Sequence, residues 1–595
     1  MLGAGCLQRE RGVVIKRLLV ANRGEIALRV MRSASEMGIG TVAVYAAGEE
    51  SSMWARAADQ AIALEGTRAA DTYLSAAALL DAAERSGADA IHPGYGFLSE
   101  SAAFARAVQQ AGLTWIGPPP EAIELMGDKL SARRAAEEAG VAGVPGTHRP
   151  CQDPAEIAAF GEEHGWPVAI KASAGGGGRG MRVVHSADEA EASLDSARRE
   201  AEGAFGNPDC YLERYLQRPR HVEVQLLGDH YGNVVWILDR DCSAQRRHQK
   251  LLEECPAPGI PSEVRKAMGE AAVAVGRACG YRNAGTVEFL YSEDEFYFLE
   301  MNTRLQVEHP VTEVVSGLDL VEWQLRVAQG ERLGFSQDDI TAHGHAIEVR
   351  INAEDPSAGR FLPHPGKLAR FERPDGPWVR TDAGYCSSDQ ISPHFDNLVA
   401  KIIVWAPDRT AAIARMQRAL SETLVEGIPT TIPAHKAILA HRDFQAIAHH
   451  TKWVEDTLDL SHLQGSQIPA QHPEGLVERT IEAEVNGRPY QVRMWLPEQE
   501  LANSPRTSRA PKQASQQVAP GGRAQVTVPM QGTVVKVMVQ QGDTIEAGQT
   551  ICILEAMKME NAVVAEAGGT ITELNVSPGA SVAPGDTIAV IEPGA

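Results

Sequence analysis

The densest chemistry in this 595-residue sequence lies in Asn302-Thr303-Arg304-Leu305-Gln306-Val307-Glu308-His309-Pro310. If the segment is extended, its period of two puts Arg304, Gln306 and Glu308 on one face. A guanidinium, an amide and a carboxylate converging on one spot can hold a small oxyanion and take its proton. Alone, the pattern reads equally as a surface ion pair, which contributes little. Its neighbours favour the first reading. Glu288 sits in Gly285-Thr286-Val287-Glu288-Phe289, and Glu300 and Asn302 sit in Phe298-Leu299-Glu300-Met301-Asn302. Acidic side chains inside apolar strands are costly when buried unpaired. Facing carboxylates beside an Asn suit Mg2+, a hard ion that takes oxygen ligands and substrate phosphates; the bland alternative is strand-edge carboxylates in water. Lys171 precedes a run of four glycines, Gly175-Gly176-Gly177-Gly178. Without Cβ atoms such a loop can lay backbone N–H groups on phosphate oxygens. It is neither a P-loop nor a dinucleotide fingerprint, and by itself it reads better as a surface loop. Lys129 upstream, and Glu213 and Leu216 in the strand-like run downstream, change that balance. A fourth feature is Lys558, in Glu555-Ala556-Met557-Lys558-Met559-Glu560. A surface lysine is ordinarily a solvated charge, but two flexible apolar Met side chains are an odd choice for a solvent-facing turn.

The elements that must position these residues follow from periodicity. A chain this long predicts several domains of about 100–200 residues. The apolar run Arg17-Leu18-Leu19-Val20-Ala21 leads into the turn Asn22-Arg23-Gly24, a helical pattern to Met37, and a second apolar run at 41–45. That is a βαβ unit. It continues through the strand and Gly-rich turn of His92-Pro93-Gly94-Tyr95-Gly96, predicting a doubly wound domain at 14–127. Mixed strands and helices fill 128–335, and a third segment of strands and then a helix fills 343–452. Residues 470–498 form a short β region. Residues 499–524, rich in Ser, Pro, Gln, Arg and Ala, read as a linker. Residues 525–593 hold an internal repeat. Gly532-Thr533-Val534 recurs as Gly569-Thr570-Ile571, and Gly542, Gly548, Ile551, Ile553 and Glu555 recur as Gly579, Gly585, Ile588, Val590 and Glu592. Two copies of one β unit should pair about a pseudo-twofold axis as a flattened sandwich or barrel. Lys558 should fall at a tight surface hairpin between the copies.

Composition narrows the classes. A formal net charge of −22 argues against nucleic-acid partners. No apolar run of about 18 residues predicts a membrane span. The eight cysteines form no CxxC pair and read as reduced thiols of a cytoplasmic protein. The first residues, to about Val13, lack the apolar core of a secretory signal; Arg9 and Arg11 are basic, but Glu10 and the shortness argue against a transit peptide.

Ala556-Met557-Lys558-Met559, with Pro529-Met530-Gln531-Gly532 upstream, resembles the biotinyl domains, whose motif lysine carries biotin. Lipoyl domains share the fold but usually lack the paired Met residues. The resemblance implies a group carrier on a flexible linker, with biotin attached to Lys558 by a biotin protein ligase. From about 14 to 452 the chain resembles biotin carboxylase, an ATP-grasp enzyme. The matching motifs are Ala21-Asn22-Arg23-Gly24-Glu25-Ile26-Ala27, His92-Pro93-Gly94-Tyr95-Gly96-Phe97-Leu98, Arg240-Asp241-Cys242-Ser243, Gln245-Arg246-Arg247-His248-Gln249-Lys250 and the block 300–312. The implied fold is multidomain α/β and α+β. A Rossmann-like pre-ATP-grasp domain is followed by an ATP-grasp domain, a C-terminal biotin carboxylase domain and an all-β biotinyl domain.

The same resemblance assigns roles. Lys129, Lys171 and His221 would contact the ATP phosphates, with Gly177 and Gly178 covering them. Glu213 and Leu216 would lie along the adenine, His248 near the ribose, and Gln245 in the same ATP site. Glu288, Glu300 and Asn302 would hold Mg2+ or Mn2+. Lys250, Arg304, Gln306 and the backbone of Val307 would bind bicarbonate, which Glu308 deprotonates. Attack on the γ-phosphate would give carboxyphosphate, and Arg350, in Glu348-Val349-Arg350-Ile351, would stabilise the biotin enolate that attacks the CO2 released. A lid around the glycine run would close to exclude water. Ala47-Gly48-Glu49-Glu50, Ser101, Ala174 and Arg214 depart from the usual family residues, and none of them is assigned a role.

The chain has no room for a crotonase-like or barrel carboxyltransferase. Residues 476–497 resemble a short form of the region by which acyl-CoA carboxylase α subunits dock onto their β subunits. A hetero-oligomer with a separate carboxyltransferase β subunit is therefore implied, with acetyl-CoA, propionyl-CoA or a longer acyl-CoA as acceptor. The alternatives are an α subunit of 3-methylcrotonyl-CoA or pyruvate type, an ATP-grasp ligase with an incidental β domain, and a catalytically silent biotin carrier or scaffold. The Met pair and the full Arg304–Glu308 motif speak against the ligase, and retention of every nominated catalytic side chain speaks against the silent carrier.

Overall fold

Leu18, Leu19 and Val20 have no solvent exposure, as expected of a parallel strand covered on both faces. In the computed structural model this strand, β1 (Arg17–Val20), precedes α1 (Gly24–Glu36) and pairs in parallel with β2 (Gly40–Tyr45). With β3 (Gln60–Ala63), β4 (Ala90–His92) and β5 (Thr114–Trp115), it forms a five-stranded sheet in the order β3-β2-β1-β4-β5. The doubly wound expectation holds. The structure describes residues 13–147, 149–172, 181–461, 463, 476–485, 488–497, 524–528, 532–556, 559–565, 567–582 and 586–592. The chain divides into two compact units, Met1–Gly465 and Ser466–Ala595. Among the described residues no helix is long and apolar enough to cross a membrane.

In the first unit, β6 (Val168–Ala172), β7 (Arg182–Val184) and β8 (Cys210–Arg214) make a small sheet in the order β7-β6-β8. The larger sheet is antiparallel and has eight strands. β9 (Arg220–Gly228), β10 (Val234–Arg246), β11 (Gln249–Cys255), β12 (Asn283–Ser292), β13 (Glu295–Asn302) and β14 (His345–Asn352) run in the order β13-β12-β9-β10-β11-β14. The strands Leu398–Ala406 and Val379–Ala383 complete it. Pairing of Leu252 with Val349 and Glu253 with Glu348 joins β11 to β14. The 128–335 and 343–452 segments, read separately in the sequence, thus share one sheet. All nine residues of β9 are buried, including Arg220, His221, Glu223 and Gln225. Charges inside such a strand require partners, and those partners define the site.

The second unit bears out the repeat. One sheet has the order Ala524–Thr527, Thr587–Glu592, Gly569–Leu574, Thr544–Ile545; the other has the order Met559–Val564, Thr550–Ala556, Gly532–Val537, Ser581–Val582. Shifting each strand to its repeat equivalent converts one order into the other, so the copies exchange strands about a pseudo-twofold axis. Ile551 and its equivalent Ile588 are both fully buried in the core between the sheets. The strands Leu476–Val485 and Arg488–Pro497 pair with each other. Met557 and Lys558, the glycines 177 and 178, and residues 499–523 of the expected linker lie outside the described residues, while Ala524 already opens a strand; the strands on either side of the lysine pair up to Ala556 and Met559.

Candidate active site

Glu300, Glu288, Glu223 and Arg240 are successive cross-strand partners on β13, β12, β9 and β10. Directly opposed residues share a face, so one rung of the sheet carries three carboxylates and a guanidinium. Lys250, on β11, donates to Glu223, to Glu288 Oε1 at 3.1 Å and to Glu308 Oε1 at 2.7 Å. Arg350, on β14, donates from Nη2 to Glu308 Oε2 at 2.8 Å and from Nε to Glu253 Oε1 at 2.7 Å. Glu308 is therefore held between two cations. Asn302 Nδ2 and Gln306 Nε2 both donate to Glu288 Oε1, at 2.7 and 2.8 Å, and His221 Nε2 lies 2.9 Å from Glu288 Oε2.

The Arg304–Glu308 segment is not extended, contrary to the expectation from its spacing. β13 ends at Asn302, residues 303–308 bend and turn, and Glu308 is the N-cap of the helix His309–Ser316. Pro310 in the first turn of that helix favours helix entry, and the chain must turn to reach it. The turn, rather than a pleat, brings Gln306 and Glu308 onto the sheet. Lys401, with no solvent exposure, secures the turn from below: its Nζ donates to the Val307 carbonyl at 2.7 Å and lies 3.2 Å from Glu25. Tyr95 donates its hydroxyl to the same Glu25. Asn22 Nδ2 donates to the carbonyls of Pro93 and Tyr95, each at 2.7 Å. Gly94 between them has φ +63°, and a Cβ there would come within 2.8 Å of Asn22 Nδ2. The two N-terminal motifs thus buttress the turn. Arg304 donates to Glu100 Oε2 at 3.0 Å and to Asn302 Oδ1 at 2.8 Å.

Burial pushes the Glu308 carboxyl up, but Lys250 and then Arg350 more than offset this and hold it below the usual range. It stays ionised, the state in which it can accept a proton. Burial opposes the Lys250 ammonium, yet Glu223, Glu288 and Glu308 raise it well above normal. Burial and the Glu288 carboxylate push Glu300 up, against Lys129. A buried and a half-buried carboxylate that repel each other suit a hard divalent cation. Asn302 is oriented otherwise, with its NH2 on Glu288 and its oxygen engaged by Arg304.

The residues nominated for the nucleotide fall in two groups. Lys171 of β6 pairs with Glu213 of β8, which also accepts from Arg133 Nη1 at 3.0 Å; Leu216 lies half-buried just beyond β8. Gln245 is buried on β10, and His248 is exposed in the turn to β11 with φ +64°. Lys129 is exposed at the start of the helix Lys129–Glu138. Glu223, Glu253, Lys401 and Glu100 were not among the residues singled out from the sequence, and Arg240 stood there only as part of a motif, with no role. Lys401 was legible as a charge inside an otherwise apolar strand, whereas Glu223, Arg240 and Glu253 lie among other charges of their strands. Glu100 carried no such signal.

Comparison with known proteins agrees with this geometry. The family described as biotin carboxylase, N-terminal domain, matches residues 14–123. The carbamoyl-phosphate synthase L chain ATP-binding domain matches 128–335, the biotin carboxylase C-terminal domain matches 348–456, and the biotin-requiring enzyme family matches 524–591. The biotin-dependent acyl-coenzyme A carboxylase alpha3 subunit of Mycobacterium leprae is 46% identical over 583 residues, covering 95% of this chain and 96% of that protein. A pyruvate carboxylase subunit of Methanothermobacter thermautotrophicus is 49% identical over 443 residues, 74% of this chain and 90% of that one. The biotin carboxylase domain of Hydrogenobacter thermophilus 2-oxoglutarate carboxylase, crystallised as a dimer with MgADP, ADP and bicarbonate, has a TM-score of 0.69 at 45% identity. It covers 74% of this chain and 98% of its own. The chain belongs to the biotin-dependent carboxylases, as a biotin carboxylase joined to a C-terminal biotinyl domain.

Proposed function

We propose that the protein uses ATP and bicarbonate to carboxylate biotin held on its own Lys558. This is the first half-reaction of an acyl-CoA carboxylase whose carboxyltransferase is a separate β subunit. The observation that carries the reading is the placement of Glu308, an ionised carboxylate between Lys250 and Arg350 beside the Glu288–Glu300 pair. Lys250, Arg304, Gln306 and the backbone of Val307 bind bicarbonate. Glu308 takes its proton, so the oxyanion can attack the γ-phosphorus of ATP, giving carboxyphosphate and ADP. Lys129, Lys171, His221, Gly177 and Gly178 hold the phosphates; Glu213, Leu216, Gln245 and His248 line the rest of the nucleotide site. Glu288 and Glu300 would hold Mg2+ or Mn2+, which would supply positive charge at the phosphates; Asn302 would join them only after its oxygen leaves Arg304. Carboxyphosphate breaks down to CO2 and phosphate, the phosphate takes the N–H proton of biotin's ureido nitrogen, and that nitrogen then bonds the CO2. Arg350 keeps a fixed positive charge near the reacting centre, where one such donor is typically worth about 10²–10³ in rate.

An acyl-CoA acceptor is favoured because the M. leprae α subunit matches over 96% of its length, carrier included. The Methanothermobacter pyruvate carboxylase relative, 49% identical, keeps a pyruvate-type assembly as the second reading. The described cysteines are free thiols, which suits a reducing cytoplasm. The test is incubation of the biotinylated chain with ATP and radiolabelled bicarbonate. Acid-labile label should appear on the protein and vanish in Lys558→Arg; label-free protein would refute the reading.

A further inference from the structure

Arg350 is gripped on both sides. Its Nε and Nη2 contact Glu253 Oε1 at 2.7 and 2.5 Å, and its Nη2 also reaches Glu308 at 2.8 Å. Among the described residues these are its side-chain contacts, so Nη1 is uncommitted. Glu253 is fully buried on β11, directly opposite the equally buried Glu348 on β14. Glu253 Oε2 and both carboxyl oxygens of Glu348 are buried without a hydrogen-bond partner. Lys401 lies opposite Arg350 on the next strand. Two buried carboxyls facing each other disfavour a second charge. Burial raises both carboxyls, Glu253 to about 7 against Arg350, and Glu348 well above its usual value against Lys401. The pair therefore keeps a proton, and the Arg350 contact places the remaining negative charge on Glu253.

We infer that Glu253 is a positioning residue for biotin carboxylation: its carboxylate locks the Nε–Nη2 edge of Arg350 so that Nη1 is presented to the negative charge developing on the reacting partner. Without Glu253, the carboxylate left on Arg350 among the described residues is Glu308, and the guanidinium is free to collapse onto the base. The inference rests on the proposed biotin carboxylation. A misplacement of about 1 Å in such a group costs about 10² in rate.

The test uses the full-length chain prepared without attached biotin, with free biotin as acceptor. Wild-type protein that fails to carboxylate biotin would refute the parent reading before any variant is compared. Given an active wild type, Glu253→Gln should lower kcat about 10²-fold while the KM values for ATP and bicarbonate stay unchanged. Arg350→Lys combined with Glu253→Gln should be no slower than Arg350→Lys alone. Glu253→Asp, which keeps the charge but retracts it, should fall between. Equal changes in kcat and the KM for ATP, or losses that multiply in the double variant, would overturn the inference. If Glu253→Gln does not fold, Glu253→Asp decides: reduced kcat with unchanged KM values supports the inference, and wild-type kcat overturns it.

Discussion

The backbone around Arg350 and around the Asn22–Gly94 contact is held in part by two buried histidines. His435 donates from Nε2 to the Arg350 carbonyl oxygen at 2.7 Å, and its Nδ1 is buried without a partner. The His92 ring accepts from the Gly94 N–H at Nδ1 and lies 3.2 Å from Gln324 Oε1 through Nε2. Burial lowers both rings to about 4 from an ordinary 6.5. Between those values the unfolded chain binds protons that the folded chain refuses, so stability falls as pH drops from about 6.5 to about 4, by roughly 1.4 kcal/mol per pH unit for each ring. Urea unfolding across that range should show the slope, and His435→Gln, which keeps a donor for the carbonyl, should flatten it. An unchanged slope would assign the acid sensitivity elsewhere. At this scale the sequence was legible where charge interrupts an apolar strand, as at Glu288 and Glu300. Lys401 interrupts its strand in the same way, whereas Glu253 stands beside Glu254; their partners come from β14 and α1, nearly a hundred and several hundred residues away, and no local pattern announces such pairs.

At the scale of elements, the active segment is a turn clamped between β13 and the helix His309–Ser316. Arg304, Gln306 and Glu308 were expected on one face of an extended segment; the turn brings Gln306 and Glu308 onto the sheet, while Arg304 binds Glu100 and Asn302. Pro310 and the helix start dictate a turn, and period-two spacing does not distinguish a turn from a pleat. Lys401 is the pin of this turn. Lys401→Met would leave Glu25 buried with only the Tyr95 hydroxyl and strip the Val307 carbonyl of its donor. Losing one partner of a buried pair costs about 3–5 kcal/mol. The urea midpoint should fall accordingly, and the KM for bicarbonate should rise because Val307 is no longer fixed. A wild-type midpoint would mean that the pin carries no stability. The sharing of one sheet by 128–335 and 343–452 was hidden for a related reason: β11 and β14 are separated by some ninety residues, and alternation marks a strand without naming its neighbour.

For the whole molecule, the sequence was most informative where it repeats itself. The strand exchange in the carrier unit follows from the equivalence of Val534 with Ile571 and Ile551 with Ile588, both pairs in its core. The first unit supplies the buried Glu308 carboxylate, the cations around it and the paired carboxylates, and the second unit has the fold of a biotinyl domain. The division of labour between them makes one claim central: that the chain couples ATP cleavage to bicarbonate and biotin. The most direct measurement is ADP release by the purified chain with free biotin, with and without bicarbonate, in wild-type protein and in Glu308→Gln. The account predicts release that requires bicarbonate, rises with biotin and falls by about 10²–10⁴ in the variant. ADP release indifferent to bicarbonate, or a Glu308→Gln chain as fast as wild type, would contradict it.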